Sequence, residues 1–287
     1  MRKVRPSGWI FPFELEDTMS KMTIVLIKRA AKFSPNNVEN DKMILEEVDC
    51  GLTSKGFDVK VITEDEVDTV PAAQVYVSMG RSVETLTYLS RRQTESGCVV
   101  INSPNGVSLC CRRTAQMRLL EEHGIAVAPH EGAHGYWIKR GDGPTIVEED
   151  VAYAADKDKV IALENAMRQR GVKDIDVRAH VMGDLVKFYG VNGTAFFRYY
   201  YPTEDGRTKF NHELVNGMPK HIPFDVSAFK QTVTHAASLL GVDIYGGDAV
   251  VQSDGTVFII DFNDWPSFSR CRGEAAQAIV QLVEQRI

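Results

Sequence analysis

Residues 246–263 read GGDAVVQSDGTVFIIDFN, and this stretch decides the fold. Ser253-Asp254-Gly255 is a turn signal between two apolar runs, Ala249–Gln252 and Thr256–Asp261, so the segment predicts an antiparallel hairpin. Folding at that turn brings the open ends of the two strands together. Asp248 begins one strand; Asp261 and Asn263 end the other. Asp261 and Asn263 are two residues apart and therefore share a face. Two carboxylates and a carboxamide at one strand end are hard oxygen donors, the set that Mg²⁺ takes alongside phosphate oxygens and water. An acidic turn in solvent is the plainer alternative. The apolar run VFII before Asp261 argues against it, because it sets the acids at the rim of a core.

Working outward, the next chemistry lies upstream. Lys139 closes the apolar strand GYWIK (135–139) and leads into Arg140-Gly141-Asp142-Gly143-Pro144. A lysine there reaches phosphate oxygens if the amides around Gly141 and Gly143 cover them; a solvated strand-end lysine would read the same. No GxxxxGK[ST] occurs, so this is not a P-loop. Leu185–Val191 and Thr194–Tyr200 read as strands joined at Asn192-Gly193. Lys187 lies inside the first, where a buried lysine needs an anionic partner, and Arg198 in the second, among tyrosines.

The N-terminal half alternates strand and helix. Strands Thr23–Ile27, Asp58–Ile62, Gln74–Ser78 and Cys98–Ile101 enclose helices from Val38 to Lys55 and from Ser82 to Ser96, which predicts a parallel sheet. Lys28, Arg29 and Lys32 follow the first strand and Arg81 the third. Ligands of open α/β sheets bind at such carboxyl ends, so Lys28, Lys32 and Arg81 are candidates for an anionic substrate, with a solvated basic face as the alternative. One helix is expected from the Asn102–Gly106 turn to Glu122. Further helices are expected over Lys157–Arg170, from Asp225 to Leu240 and from Ala275 onward, with a strand at Ile175–Val181. The chain divides into an extension (1–21), an α/β substrate domain (22–105), a central subdomain (106–182) and a C-terminal subdomain (183–287).

Composition bounds the function. The 287 residues are 44% hydrophobic and 25% charged, with net charge -6, which argues against a nucleic-acid or membrane-surface binder. Five cysteines without a CxxC pair fit the reduced thiols of a cytoplasmic protein. The seven histidines form no HExxH or similar pattern, and no GxSxG supports a serine hydrolase.

The ordered set Lys139 before a glycine-rich loop, VRAHV (177–181), Lys187 on the next strand, Asp248, and Asp261-x-Asn263-x-x-Pro266 resembles the ATP-grasp superfamily over about residues 102–287. The resemblance implies a mixed α/β and α+β fold in which ATP lies between two α+β subdomains. Lys139 and Arg113 would contact phosphates beneath the Gly141–Gly143 loop. Arg178, Ala179, His180 and Val181 would form the hinge strand against adenine, chiefly through backbone groups, and Asp248, Asp261 and Asn263 would hold Mg²⁺. Two branches compete. GDLVKFYGVNGTAFFRYYYP and IIDFNDWP resemble inositol tris/tetrakisphosphate kinases, in which Lys187 and Arg198 have counterparts. Carboxylate–amine ligases of the RimK and D-alanine–D-alanine types usually carry Glu where this chain has Asp261, and the latter carry Arg where it has Gly246. The expectation is a Mg-ATP-dependent kinase acting on a small anionic, polyol-phosphate-like acceptor, with Lys187 and Arg198 as catalytic residues. A ligase working through an acyl phosphate is the alternative, and a non-catalytic nucleotide binder the third.

Overall fold

Four apolar strands spaced by amphipathic helices build the first layer of the computed structural model, which describes residues 21–35, 37–70, 72–143, 145, 147–204 and 215–287. The 1–21 extension lies, but for residue 21, outside the described residues. Strands β1 (Thr23–Lys28), β2 (Asp58–Thr63), β3 (Val75–Ser78) and β4 (Val99–Ile101) form a parallel sheet in the order β2-β1-β3-β4. Helices α1 (Val38–Ser54) and α2 (Val83–Ser96) are its crossovers. Ser82 caps α2, its hydroxyl accepting from the Thr85 N–H, and Gly97 ends it in the left-handed conformation.

The expected single helix after residue 102 is two. α3 (Pro104–Cys110) is capped by Ser103, and α4 (Arg113–Glu122) starts after Arg112 leaves helical geometry (φ -113°, ψ 79°). No glycine or proline marks that break. It re-aims α4 so that Met117 and Leu120 join Val186, Phe188 and Phe262 in one core.

Two antiparallel sheets follow. The second sheet, β6-β5-β7, contains β5 (Tyr136–Arg140), β6 (Val151–Ala154) and β7 (Ile175–Ala179). β6 is not legible in its polar surroundings; pairing with β5 makes it a strand. Helix α5 (Lys157–Gln169) covers one face, where Tyr136, Ile138, Ala154, Val160 and Met167 pack. Register puts Trp137, Lys139, Tyr153, Asp176 and Arg178 on the other face.

The third sheet runs β11-β10-β8-β9, with β8 (Asp184–Val191), β9 (Phe197–Tyr200), β10 (Ile244–Val251) and β11 (Val257–Asn263). Helix α6 (Val226–Leu240) joins α4 over its buried face, and Gly241 stops α6 in the left-handed region. On its opposite face Tyr189, Val191 and Ile244 join the core of the first sheet, with α7 (Arg272–Arg286) between. No helix of the described residues is long and apolar enough to cross a membrane.

Candidate active site

The hairpin of β10 and β11 is longer than its apolar runs suggest, and Asp248 lies midway along β10. It stands directly opposite Asp261 on one side and Lys187 on the other. One row across three strands therefore carries Lys187, Asp248 and Asp261. Lys187 Nζ donates to Asp248 Oδ1 at 2.9 Å. Arg113, at the start of α4, forms a short ion pair with Asp261 Oδ1, while Asn263 Nδ2 donates to Asp261 Oδ2 at 3.2 Å.

A register shift between Asp248 and Ala249 makes this row. Asp248 faces Asp261, yet Ala249 faces Ile259, so Ile260 is one residue extra in β11. Without it Ile259 and Asp261 would share a face. With the bulge Ile259 stays in the core, 1% exposed, and Asp261 turns to the cleft. The extra residue leaves the ladder, and its carbonyl accepts from Lys139 Nζ at 2.9 Å. The bulge thus links the second sheet to the third at the acidic row.

Charges inside the cleft set one another. Burial alone would raise the Asp261 carboxyl, but Arg113 and Lys139 outweigh it and hold the group well below the usual carboxylate range. Burial, then Arg113, lowers the Lys139 ammonium. Burial also opposes the Arg113 charge, but Asp261 overcomes it and raises that guanidinium. Asp176, opposite Lys139 in register, adds negative charge near both cations.

Polar atoms without protein partners also line this region. Arg113 Nε and Thr114 Oγ1 are buried and accept or donate no hydrogen bond among the described residues. Thr114 packs against Gly141, where any side chain would collide with its hydroxyl and with the Asp174 carboxyl. The Gly141–Gly143 loop is pinned from below: Gly141 N–H donates to Asp174 O at 2.8 Å, and Asp142 accepts from Arg140 Nε and Lys173 N–H, each at 2.7 Å. Arg113 is among the residues the sequence points to, whereas Thr114 and Asp176 are not, since neither belongs to a spaced motif.

At the other end of the cleft, the Ala179 and His180 N–H groups donate to Pro129 O and Gly135 O. The Arg178 side chain is bound to Glu121 at 2.7 Å and Asp176 at 3.0 Å. Trp137 Nε1, which only donates, lies 3.0 Å from His180 Nδ1. The neutral ring therefore carries its proton on Nε2, which is buried and unpartnered; burial, then His134, lowers the His180 imidazole. Trp137, Tyr153 and His180 meet edge-on or tilted with centroids 5.5–6.2 Å apart.

Arg198 is half exposed and forms a short ion pair with Glu274 of α7, on the Tyr189 side of the sheet. Arg81 is bound to Asp264, its Nε 3.2 Å from Oδ2. Lys32 is exposed, its ammonium 5.2 Å from the Phe33 ring centroid, and no hydrogen bond or ion pair among the described residues joins Lys28 or Lys32 to the acidic row. Arg113, Lys139, Lys187, Asp248, Asp261 and Asn263 are thus brought together, while Arg198, Arg81, Lys28 and Lys32 have other neighbours or open solvent.

No protein-family model matches the chain, and no curated protein matches it in sequence. Solved structures share its fold. A D-alanine–D-alanine ligase from Bacillus anthracis complexed with ATP matches at TM-score 0.63 and 11% identity, over 92% of this chain and 98% of that one. D-alanyl-alanine synthetase A from Vibrio cholerae matches at TM-score 0.66 and 10% identity, over 93% and 98%. The ATP-grasp ligase PsnB, complexed with a minimal precursor, matches at TM-score 0.57 and 14% identity, over 91% and 99%. At these identities the likeness is one of fold, and it covers more than nine-tenths of this chain.

Proposed function

We propose that this chain, an ATP-grasp protein by fold, is a Mg-ATP-dependent ligase that activates a small carboxylic acid by phosphorylation and joins it to an amine. One observation carries the nucleotide half of this reading: Arg113, Lys139 and Lys187 converge with Asp248, Asp261 and Asn263 between the second and third sheets. Three cations beside hard oxygen donors suit a polyphosphate with a divalent metal. The donor set fits Mg²⁺, since Asp261 is held ionised and faces Asp248 across the strands. Bound there, the metal would supply positive charge against phosphate oxygens.

The chain's own residues do the rest. Lys139, fixed on the Ile260 carbonyl, and Arg113, with its free Nε, would hold phosphate oxygens. The Thr114 hydroxyl and the pinned Gly141–Gly143 loop would close over them. The Trp137, Tyr153 and His180 rings would bound the base, with carbonyls of the 179–181 segment and the Val181 N–H as its backbone partners. Phosphoryl transfer joins a carboxylate oxygen to the γ-phosphorus as ADP leaves. The amine nitrogen then attacks the acyl carbon, inorganic phosphate departs, and the amine proton passes to solvent. The ligase reading is preferred because the solved structures sharing this fold include ligases.

A specific feature favours a second reading, direct transfer to a hydroxyl of a small anionic acceptor. Asp261 and Lys187 match the kinase-like pattern; Gly246 fits the kinase and RimK-type patterns alike and separates the chain only from the D-alanine–D-alanine type, since Pro266 Cγ lies only 2.7 Å from where a side chain at Gly246 would begin. The arginine that D-alanine–D-alanine ligases carry there has no room. ATP turnover separates the two readings. Inorganic phosphate formed only when an acid and an amine are both supplied supports the ligase; a phosphate ester formed without an amine supports the kinase and overturns the ligase.

A further inference from the structure

His180 directly follows β7 and is 6% exposed. Its ring meets Trp137 and Tyr153, on the cleft face of the second sheet, at centroid distances of 6.2 and 5.8 Å. Trp137 Nε1 only donates, so its 3.0 Å bond to Nδ1 leaves the imidazole proton on Nε2. That N–H is buried and meets no acceptor among the described residues. A buried donor left unpaired is costly and is rare in native chains. The Tyr153 ring, at 85° to the imidazole, gives at most a weak contact. Its hydroxyl is turned to the His134 carbonyl at 2.8 Å. Tyr153 lies on β6, an edge strand, and is the most exposed of the three rings.

Backbone partners alone leave the base ambiguous. Adenine presents an amino donor beside a ring-nitrogen acceptor, and a carbonyl with the Val181 N–H matches that pair. Cytosine presents the same pair. Guanine presents the reverse and is rejected. What adenine has and cytosine lacks is the acceptor N7. Resting on the Mg-ATP reading, we propose that the His180 Nε2–H reads N7 of the base once the Tyr153 ring yields, that Trp137 is a positioning residue fixing the donating tautomer, and that the chain thereby selects ATP over CTP. The donor is already stripped of water, so binding gains the bond at no further desolvation cost to the protein. A nucleotide without an acceptor at that point leaves the donor unpaired, and a site built on a hydrogen bond rejects the analogue that lacks it.

Binding measured without turnover tests it, with ATP, CTP and 7-deaza-ATP, in which a C–H replaces N7, as the probes. In the presence of Mg²⁺, wild type is expected to bind ATP at least about tenfold tighter than either of the others, the factor of one well-made hydrogen bond. His180→Phe keeps a ring without a donor and should bind ATP and 7-deaza-ATP alike, within about twofold. His180→Gln restores an N–H and should recover part of the preference. NMR of the ring nitrogens reads the tautomer directly. Wild type should carry the proton on Nε2, whose resonance moves on adding ATP and stays on adding 7-deaza-ATP. Trp137→Phe should let the proton populate Nδ1 and cut the preference for ATP. Circular dichroism confirms that each variant is folded, and the wild-type comparison of ATP with 7-deaza-ATP needs no variant. Equal binding of those two by wild type, or a preference undiminished in His180→Phe, overturns the role of His180 while leaving Mg-ATP binding intact. Failure of wild type to bind any of the three nucleotides overturns the Mg-ATP reading itself.

Discussion

Asp261 is the residue on which most of the cleft depends, because it meets a cation from α4, the Asn263 carboxamide and the field of Lys139. Its folded-state pKa is lowered. Stability from this group is therefore fully present above the ordinary aspartate value of about 4 and is lost as pH falls through the lowered folded value. Thermal unfolding of Asp261→Asn across pH should show a flattened acid limb below about pH 4, and metal-dependent nucleotide binding should disappear. If the variant kept the wild-type acid limb, the Arg113 pairing would not be stabilising. Turnover is expected to fall at least about a hundredfold, since a metal's electrostatic help is worth several kcal/mol. Gly246 makes a second prediction at this scale. A methyl group there would meet Pro266 Cγ at 2.7 Å and the Phe188 carbonyl at 2.8 Å. Gly246→Ala should destabilise by about 1–3 kcal/mol, read as a lower urea midpoint.

At the scale of elements, the hairpin shows what sequence can and cannot say. Its turn, its apolar runs and the shared face of Asp261 and Asn263 are legible, because each follows from local pattern and period. The reach of β10 back through Gly246 and Gly247 is not. Two glycines weaken a strand by propensity; they are needed here because Pro266, the Phe188 ring and the Asp261 carbonyl occupy the space their side chains would take. The bulge at Ile260 is equally silent, since VFII reads the same with or without an extra residue. Pairing with Ala249 and the demand that Ile259 remain buried impose it. Lys139 could be named from its strand-end position, but its target, a carbonyl leaving the β11 ladder, could not. Lys139→Met should lower nucleotide affinity at least about tenfold and lower the melting temperature by several degrees, because it removes a bond to one carbonyl, worth about 1–3 kcal/mol, and one of the cations that hold Asp261 ionised. The lowered Lys139 ammonium adds a pH signature: wild-type affinity should decline with rising pH before the ordinary lysine value of about 10.4 is reached. Lys139→Arg should restore much of the affinity and move that decline to higher pH; an identical alkaline limb in Lys139→Arg would show that another group sets it.

At the scale of the whole molecule, the carboxyl end of the first sheet is fastened to the far end of β11. Arg81, after β3, holds Asp264, which is 2% exposed and immediately follows Asn263. Arg29, after β1, donates to the Trp265 carbonyl at 3.0 Å and lies 3.5 Å from Asp41. Asn102, after β4, donates to the Ile244 carbonyl at 2.8 Å and accepts from the N–H groups of Asp243 and Ile244. Glu64 in turn accepts from the N–H groups of Arg81 and Ser82 at 2.9 and 2.7 Å, fixing the turn that presents Arg81. Sequence reading makes Arg81 a candidate for an anionic substrate at the carboxyl edge of the first sheet; in the structure it follows β3, and the anion it meets there is Asp264 of the chain itself. This distinguishes two roles experimentally. If Arg81 fastens the first sheet to the acidic row, Arg81→Met leaves a buried carboxylate without its partner and should destabilise by about 3–5 kcal/mol. Arg81→Met combined with Asp264→Asn should recover much of that loss, because no lone charge remains buried, and the two single effects should be strongly non-additive. If Arg81 instead serves an acceptor, the single variant should melt like wild type and raise the acceptor's KM alone. A large stability loss rescued by the second substitution is the outcome expected from the geometry, and it would move the search for the acceptor's anchor away from this buried edge.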